Sequence, residues 1–149
     1  MMHFLGRKYL GGLLVLLGLM AAAGTQAAAG DSFVLVANHN NQVESLSRKD
    51  VALIFLSRKR SWSSGKNIAV VINENPKIYS DFTYDILKRS PRQYLFFRKK
   101  MLFRGQGMPP PSVQTDQEVI NFITAHCNGL GYVSPQALTP EVRAIPIVD

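Results

Sequence analysis

LSRKDVALIFLSRKRSWSSGKNIAVV, residues 46–71, holds a helix, a loop and a strand in order. Ser47, with Asp50 three residues on, reads as an N-cap with a capping-box partner, and Val51, Ile54 and Phe55 then recur on one helical face. The basic run Ser57-Arg58-Lys59-Arg60 suits a helix C-terminus. Ser63-Ser64-Gly65 makes a turn, and Ile68 to Ile72 is a run rich in β-branched residues that predicts a buried strand.

Outward towards the N-terminus, Phe33-Val34-Leu35-Val36-Ala37 is a continuous apolar run ending in Asn38-His39-Asn40-Asn41. Such a run predicts a strand covered on both faces at the centre of a sheet, and a right-handed βαβ crossover to Ile68–Ile72 if the two strands are parallel. Further out, Arg7 and Lys8 precede an apolar segment from Leu10 to Ala23 and the small residues Ala27-Ala28-Ala29, the three parts of a secretory signal peptide over residues 1–29. The apolar core is shorter than the ~20 residues of a spanning helix, and no other stretch is long enough, so the expectation is an exported protein without a membrane span after cleavage.

With Arg7 and Lys8 removed from the 17 basic residues, 15 remain against 10 acidic ones over residues 30–149, a formal +5 that favours anionic partners. That length suits one domain with one core. Cys127 is the sole cysteine, so no intramolecular disulfide can form, and its place near a helix end reads as a small buried hydrophobe. Neighbouring His126 and Cys127 diverge by about 100° on a helix and make a poor metal pair. No metal, cofactor or catalytic carboxylate pair is expected, and the chain reads as non-enzymatic.

Outward towards the C-terminus, Asn75-Pro76 opens a helix to about Lys88 with Ile78, Phe82 and Ile86 in line. Ser90-Pro91 opens another, buried through Tyr94, Phe97 and Met101 and ending near Arg104-Gly105. Pro109 to Pro111 require an extended connector. Thr115 with Glu118 is a further capping box, leading a helix that buries Val119, Phe122 and Ile123 and stops at Asn128-Gly129. Leu130 to Val133 and Val142 to Val148 are expected strands, the last held to a sheet edge by Pro146. Arg98-Lys99-Lys100 with Arg104, beside Phe96 and Phe97, reads as a solvated helix face and not as a nucleic-acid patch.

The pattern S-L-S-R-x-x-V-x-x-I-F-L-x-[RK]-x-x-x-W-x-x-G-x-x-I-x-V-V-x-N from Ser45 to Asn73, followed by Phe103-Arg104-Gly105-Gln106-Gly107-Met108-Pro109-Pro110 and Gly129-Leu130-Gly131-Tyr132-Val133, resembles the second lobe of the phosphate-binding periplasmic receptors of ABC transporters. It is similar above all to short single-lobe proteins of that type, over about residues 33–134. The resemblance implies an α/β fold, a single periplasmic-binding-protein-like lobe with a small mixed sheet flanked by about four helices, and Trp62 as a packing residue. It implies a periplasmic, non-enzymatic solute-binding protein for phosphate or another oxyanion.

Ligands of open α/β sheets sit outside the carboxyl ends of strands, near helix N-termini. The candidate ligand residues are therefore Asn38, His39, Asn73, Asn75, Lys77, Ser80 and Ser134. The receptor pattern has an Arg and a Ser-Gly-Thr-type turn where this chain has Asn73, Glu74 and Pro76, and Glu74 adds a carboxylate. The other expectation is a ligand-free interaction or sensory module docking on an envelope protein or transporter component through Trp62, Arg58 to Arg60 or the proline connector.

Overall fold

A computed structural model describes residues 32–149, and the predicted signal peptide lies outside them. Strand β1, Val34–Ala37, is central as its unbroken apolar run predicts. It is flanked by β6, Gly129–Val133, and β7, Arg143–Ile145, and β3, Ala69–Val70, completes the four-stranded order β3-β6-β1-β7. Both neighbours of β1 run antiparallel to it, whereas β3 runs parallel to β6. Hence β1 and β3 are antiparallel and separated by β6, so the crossover expected between them does not form.

The strand expected over Ile68–Ile72 divides. Val71 donates to the Leu130 carbonyl, and beyond it β4, Ile72–Asn73, turns to pair in parallel with β5, Ser112–Val113, in the connector after the prolines. The C-terminal strand divides likewise at Pro146, which has no N–H to continue a ladder. Beyond it β8, Ile147–Val148, pairs with β2, Leu46–Ser47, directly before the first helix.

Helix α1, Arg48–Phe55, starts where Ser47 Oγ accepts from the Asp50 amide and buries Val51, Ile54 and Phe55. Helix α2, Pro76–Asp85, buries Ile78, Phe82 and Thr83, with Ile86 buried just past its end. Helix α3, Pro91–Phe103, has a complete capping box between Ser90 and Gln93, and α4, Asp116–Ala125, one between Thr115 and Glu118. On α4 the third buried residue is Ile120 and not Phe122, which is half-buried.

Alternation along β6 sorts the core into two faces. Leu130 and Tyr132 enter an aromatic cluster with Phe33, Phe55, Phe82 and Tyr94 beneath α1, α2 and α3. Tyr132 stacks on Phe82 at 4.0 Å between centroids, and Phe33 and Phe55 meet Phe82 edge-on. Val133 enters the opposite, aliphatic cluster with Val36, Val71, Val119, Ile120 and Ile123 beneath α4. Gly131 lies on this second side, where a Cβ would stand 2.7 Å from Val71 Cγ1 and 2.9 Å from Val119 Cγ1. Its missing side chain is what lets α4 approach the sheet.

Trp62 is 9% exposed and donates its indole N–H to the Asn128 carbonyl at 3.1 Å, the packing role that the resemblance implies. Cys127, by contrast, is exposed, because α4 ends at Ala125 and residues 126–128 leave the core as a turn.

Candidate functional site

At one end of the sheet, β4 and β6 both run out and three helix starts come together: α2, α4 and the 3-10 turn Pro135–Ala137. Ser32, Asn75, Lys77, Ile78, Asp116, Ser134, Pro135 and Gln136 enclose a shallow hollow there of about 310 Å³. Four of the seven residues expected at a ligand site, Asn73, Asn75, Lys77 and Ser134, gather in or directly beneath it.

Asn73 is fully buried, and both ends of its amide are engaged. Its Nδ2 donates to Asp116 Oδ1 at 2.7 Å and to the Tyr132 carbonyl at 3.2 Å, while its Oδ1 accepts from the Asn75 amide at 3.0 Å. The Tyr132 hydroxyl returns a hydrogen bond of 2.8 Å to the Asn73 carbonyl, so the residue is pinned to β6 from both sides. Asn75 occupies the N-cap position of α2, but its side chain makes no capping bond. Asn73 holds the turn instead.

Ser134 is organised by Asp116. Its Oγ donates to Asp116 Oδ2 at 2.5 Å and its amide to Oδ1 at 3.3 Å. Asp116 thus gathers the amide of Asn73 and both donors of Ser134, groups suited to an oxyanion, around a carboxylate of the chain itself. Sequence reasoning singled out Thr115 and Glu118 at this helix start and passed over Asp116 between them. Its reach to Ser134, 18 positions away, is a tertiary contact with no sequence periodicity behind it.

Lys77 is exposed, and its Nζ lies 2.9 Å from Asp81 Oδ2, one turn along α2. This bond holds the Asp81 carboxyl below the usual carboxylate range. Surface pairs of this geometry are weak, so the ammonium is free to exchange partners. Ser80 does not line the hollow, and its carbonyl accepts from the Thr83 hydroxyl.

Asn38 and His39 lie elsewhere. Because β1 is antiparallel to β6, its carboxyl end meets the start of β6, with Ala37 opposite Leu130, and Ser134 lies beyond the far end. Asn38 Nδ2 there donates to the Ile123 carbonyl at 3.0 Å, and His39 Nε2 lies 2.6 Å from the Pro140 carbonyl. The two residues share no cavity with the Ser134 cluster. Beside them Asn40, Asn41, Trp62, Lys66 and Asn128 line a separate polar hollow of about 420 Å³.

Glu74, expected to repel an anion, is neutralised within the fold. Arg98 Nη2 donates to Glu74 Oε1 at 2.7 Å and to the Tyr79 hydroxyl oxygen at 3.2 Å. Burial raises the Glu74 carboxyl, but the hydrogen bond and charge of Arg98 outweigh it and leave the group below the ordinary glutamate value. Arg98 is only 7% exposed, so the reading of Arg98-Lys99-Lys100 as one solvated run fails at its first member. A helical signal for this exists, since residue 98 is four beyond buried Tyr94 and three before buried Met101.

Among the described residues no three His, Cys, Asp or Glu side chains come together as metal ligands, and no helix is long and apolar enough to cross a membrane. His126 stacks on Phe122 with 4.0 Å between centroids.

No family model and no curated protein matches the sequence. Solved structures do match. The chain is similar to an ABC-type phosphate transport receptor from Vibrio cholerae, with 19% identity and TM-score 0.54 over 79% of this chain and 47% of the receptor. An ABC transporter substrate-binding protein with bound phosphate from Clostridium perfringens matches with 16% identity and TM-score 0.61 over 78% of this chain and 44% of its own. A possible phosphate binding protein from Planctomyces limnophilus matches with 11% identity and TM-score 0.55 over 79% and 42%. At these identities the likeness is one of fold. This chain has the periplasmic-binding-protein-like fold and spans less than half the length of each structure.

Proposed function

We infer that the chain is a non-enzymatic, exported solute-binding lobe of the phosphate-receptor type, with phosphate or another proton-bearing oxyanion as its ligand. The observation that carries this reading is the convergence of three helix starts on the Asn75–Lys77–Ser134 hollow, in a fold shared with phosphate transport receptors. Helix starts present free amides and a positive dipole end, and Lys77 supplies a mobile cation beside them. Residues 1–29 direct export to the periplasm.

Asp116 shapes the selectivity. A carboxylate on the wall repels a fully deprotonated anion such as sulfate, whereas hydrogen phosphate can donate a proton to it. Because one lobe supplies one wall and the donors are already held by Asp116, binding is weak until a partner or a second lobe completes the cleft. Isothermal titration of residues 30–149 at low salt tests this: phosphate is expected to bind in the high micromolar range or weaker and sulfate at least tenfold less well. Lys77→Ala should weaken phosphate binding a few-fold. Equal affinities for the two anions, or phosphate affinity unchanged in Lys77→Ala, would remove the hollow as the site.

The rival reading, a ligand-free module docking on an envelope protein or transporter component, loses its Trp62 anchor, since that ring is packed inside. It keeps a groove of about 660 Å³ walled by Arg60, Met108 to Pro111, Phe122 and His126. No heat with either anion at millimolar concentration would favour it.

A further inference from the structure

Helix α3 carries a second organised face that neither the core nor the anion hollow uses. Large exposed apolar side chains among the described residues concentrate on it: Leu95, Phe96, Leu102 and Phe103, with Met108 in the loop that follows. Phe103 is 85% exposed and Phe96 68%. At 100° per residue, Arg92, Phe96, Lys99 and Phe103 fall within about 60° of one another, diametrically opposite buried Tyr94 and Met101. A cation and a ring alternate along this stripe, with Lys100 beside it and Arg104 at its end.

Charge on this face has one sign. Helix α3 contains no Asp or Glu, and its one ion-paired base, Arg98, is turned inward to Glu74. Arg92, Lys99, Lys100 and Arg104 take part in no ion pair among the described residues. Four uncompensated cations interleaved with two nearly free phenyl rings on a convex helix are poorly explained by solvation alone, because exposed rings lower solubility without adding stability.

The geometry points to this face as a docking surface for an anionic phospholipid bilayer. Phenyl rings settle at the boundary between headgroups and acyl chains, and the long stems of Lys and Arg lie along that boundary while their charged ends reach the phosphates. A bilayer demands no matching relief, which suits a convex stripe. A second copy of this chain is disfavoured as occupant, since apposing two such faces brings eight like charges together. With a single helix engaged, association is weak, reversible and dependent on salt.

The test is co-sedimentation at low salt of the protein, purified as the expressing cell processes it, with phosphatidylcholine vesicles with and without phosphatidylglycerol. Binding is expected only to the phosphatidylglycerol vesicles, with release by salt. The double variant Lys99→Glu with Lys100→Glu should bind at least tenfold more weakly, and Phe96→Ser with Phe103→Ser severalfold more weakly. Both pairs lie on the surface, so circular dichroism should match the parent; Lys99→Gln with Lys100→Gln is the milder variant should the charge reversal unfold. Equal binding to both vesicle types, no binding to either, or binding that survives both pairs of substitutions would overturn the proposal, the last by assigning attachment to residues 1–31 or another patch. A doubled mass in solution that Phe103→Ser returns to monomer would overturn it in favour of self-association.

Discussion

The two faces of the central sheet are built by opposite means. Beneath α1, α2 and α3 the sheet is padded with rings, Phe33, Phe55, Phe82, Tyr94 and Tyr132, whereas beneath α4 it is thinned by Gly129 and Gly131 and lined with Val and Ile. One face derives its stability from the area of large side chains, the other from the close approach of a helix to a backbone. The difference teaches where the molecule tolerates change: the first fails by losing volume, the second by gaining it.

Phe82→Ala should be the largest effect. The ring is fully buried, stacked on Tyr132 and met edge-on by Phe33 and Phe55, so its removal leaves a cavity the neighbours cannot close. A loss of about 3–5 kcal/mol in urea unfolding is expected. The mirror test is Gly131→Ala, which adds one methyl where Val71 and Val119 are already under 3 Å from the Cβ position. Overpacking of this kind costs about 1–3 kcal/mol. If Gly131→Ala were neutral and Phe82→Ala mild, the contrast between the faces would collapse.

Between these in size lies Arg98, which seals the outer side of the aromatic face to the loop before α2. Arg98→Ala leaves the Glu74 carboxylate near Tyr79 with Gln114 as a side-chain partner and should cost about 2–4 kcal/mol, towards the low end for a broken buried pair because Glu74 keeps some water contact. The pH dependence has a definite sign. Glu74 is held below its ordinary value of 4.5, so its contribution is complete above that pH and is lost as pH falls through the lower folded value. The stability difference between the parent and Arg98→Met should therefore be complete above about pH 4.5 and shrink as pH falls below it, read by urea unfolding followed by circular dichroism at several pH values.

Sequence periodicity carries most of this architecture, for local reasons. Ser47, Ser90 and Thr115 cap helices through bonds within three residues, and Phe33–Ala37 is central because only a doubly covered strand accommodates five consecutive apolar residues. Strand direction is not local. An antiparallel β1 looks the same as a parallel one in sequence, and that single ambiguity sends Asn38 and His39 to the opposite end from Ser134. The candidate hollow was legible at Asn75 and Ser134, where proline marks a start, whereas the Asp116–Ser134 and Arg98–Glu74 pairings, 18 and 24 positions apart, were not, although the burial of Arg98 had a helical signal.

The two faces meet at one carboxylate. Asn73 leads into α2 on the aromatic side and Asp116 opens α4 on the glycine side, so the Asn73–Asp116–Ser134 bonds join the faces at the candidate hollow. Asp116→Asn keeps the shape but removes the charge, and the bonds it weakens are charge-assisted ones, so a stability loss of about 1–2 kcal/mol is expected. Its sharper consequence concerns ligand choice. A neutral amide no longer repels a deprotonated oxyanion, so sulfate affinity should rise towards that of phosphate. A phosphate-over-sulfate ratio unchanged by Asp116→Asn in titration would show that the carboxylate serves only as the clasp between the faces, and would move ligand selection elsewhere.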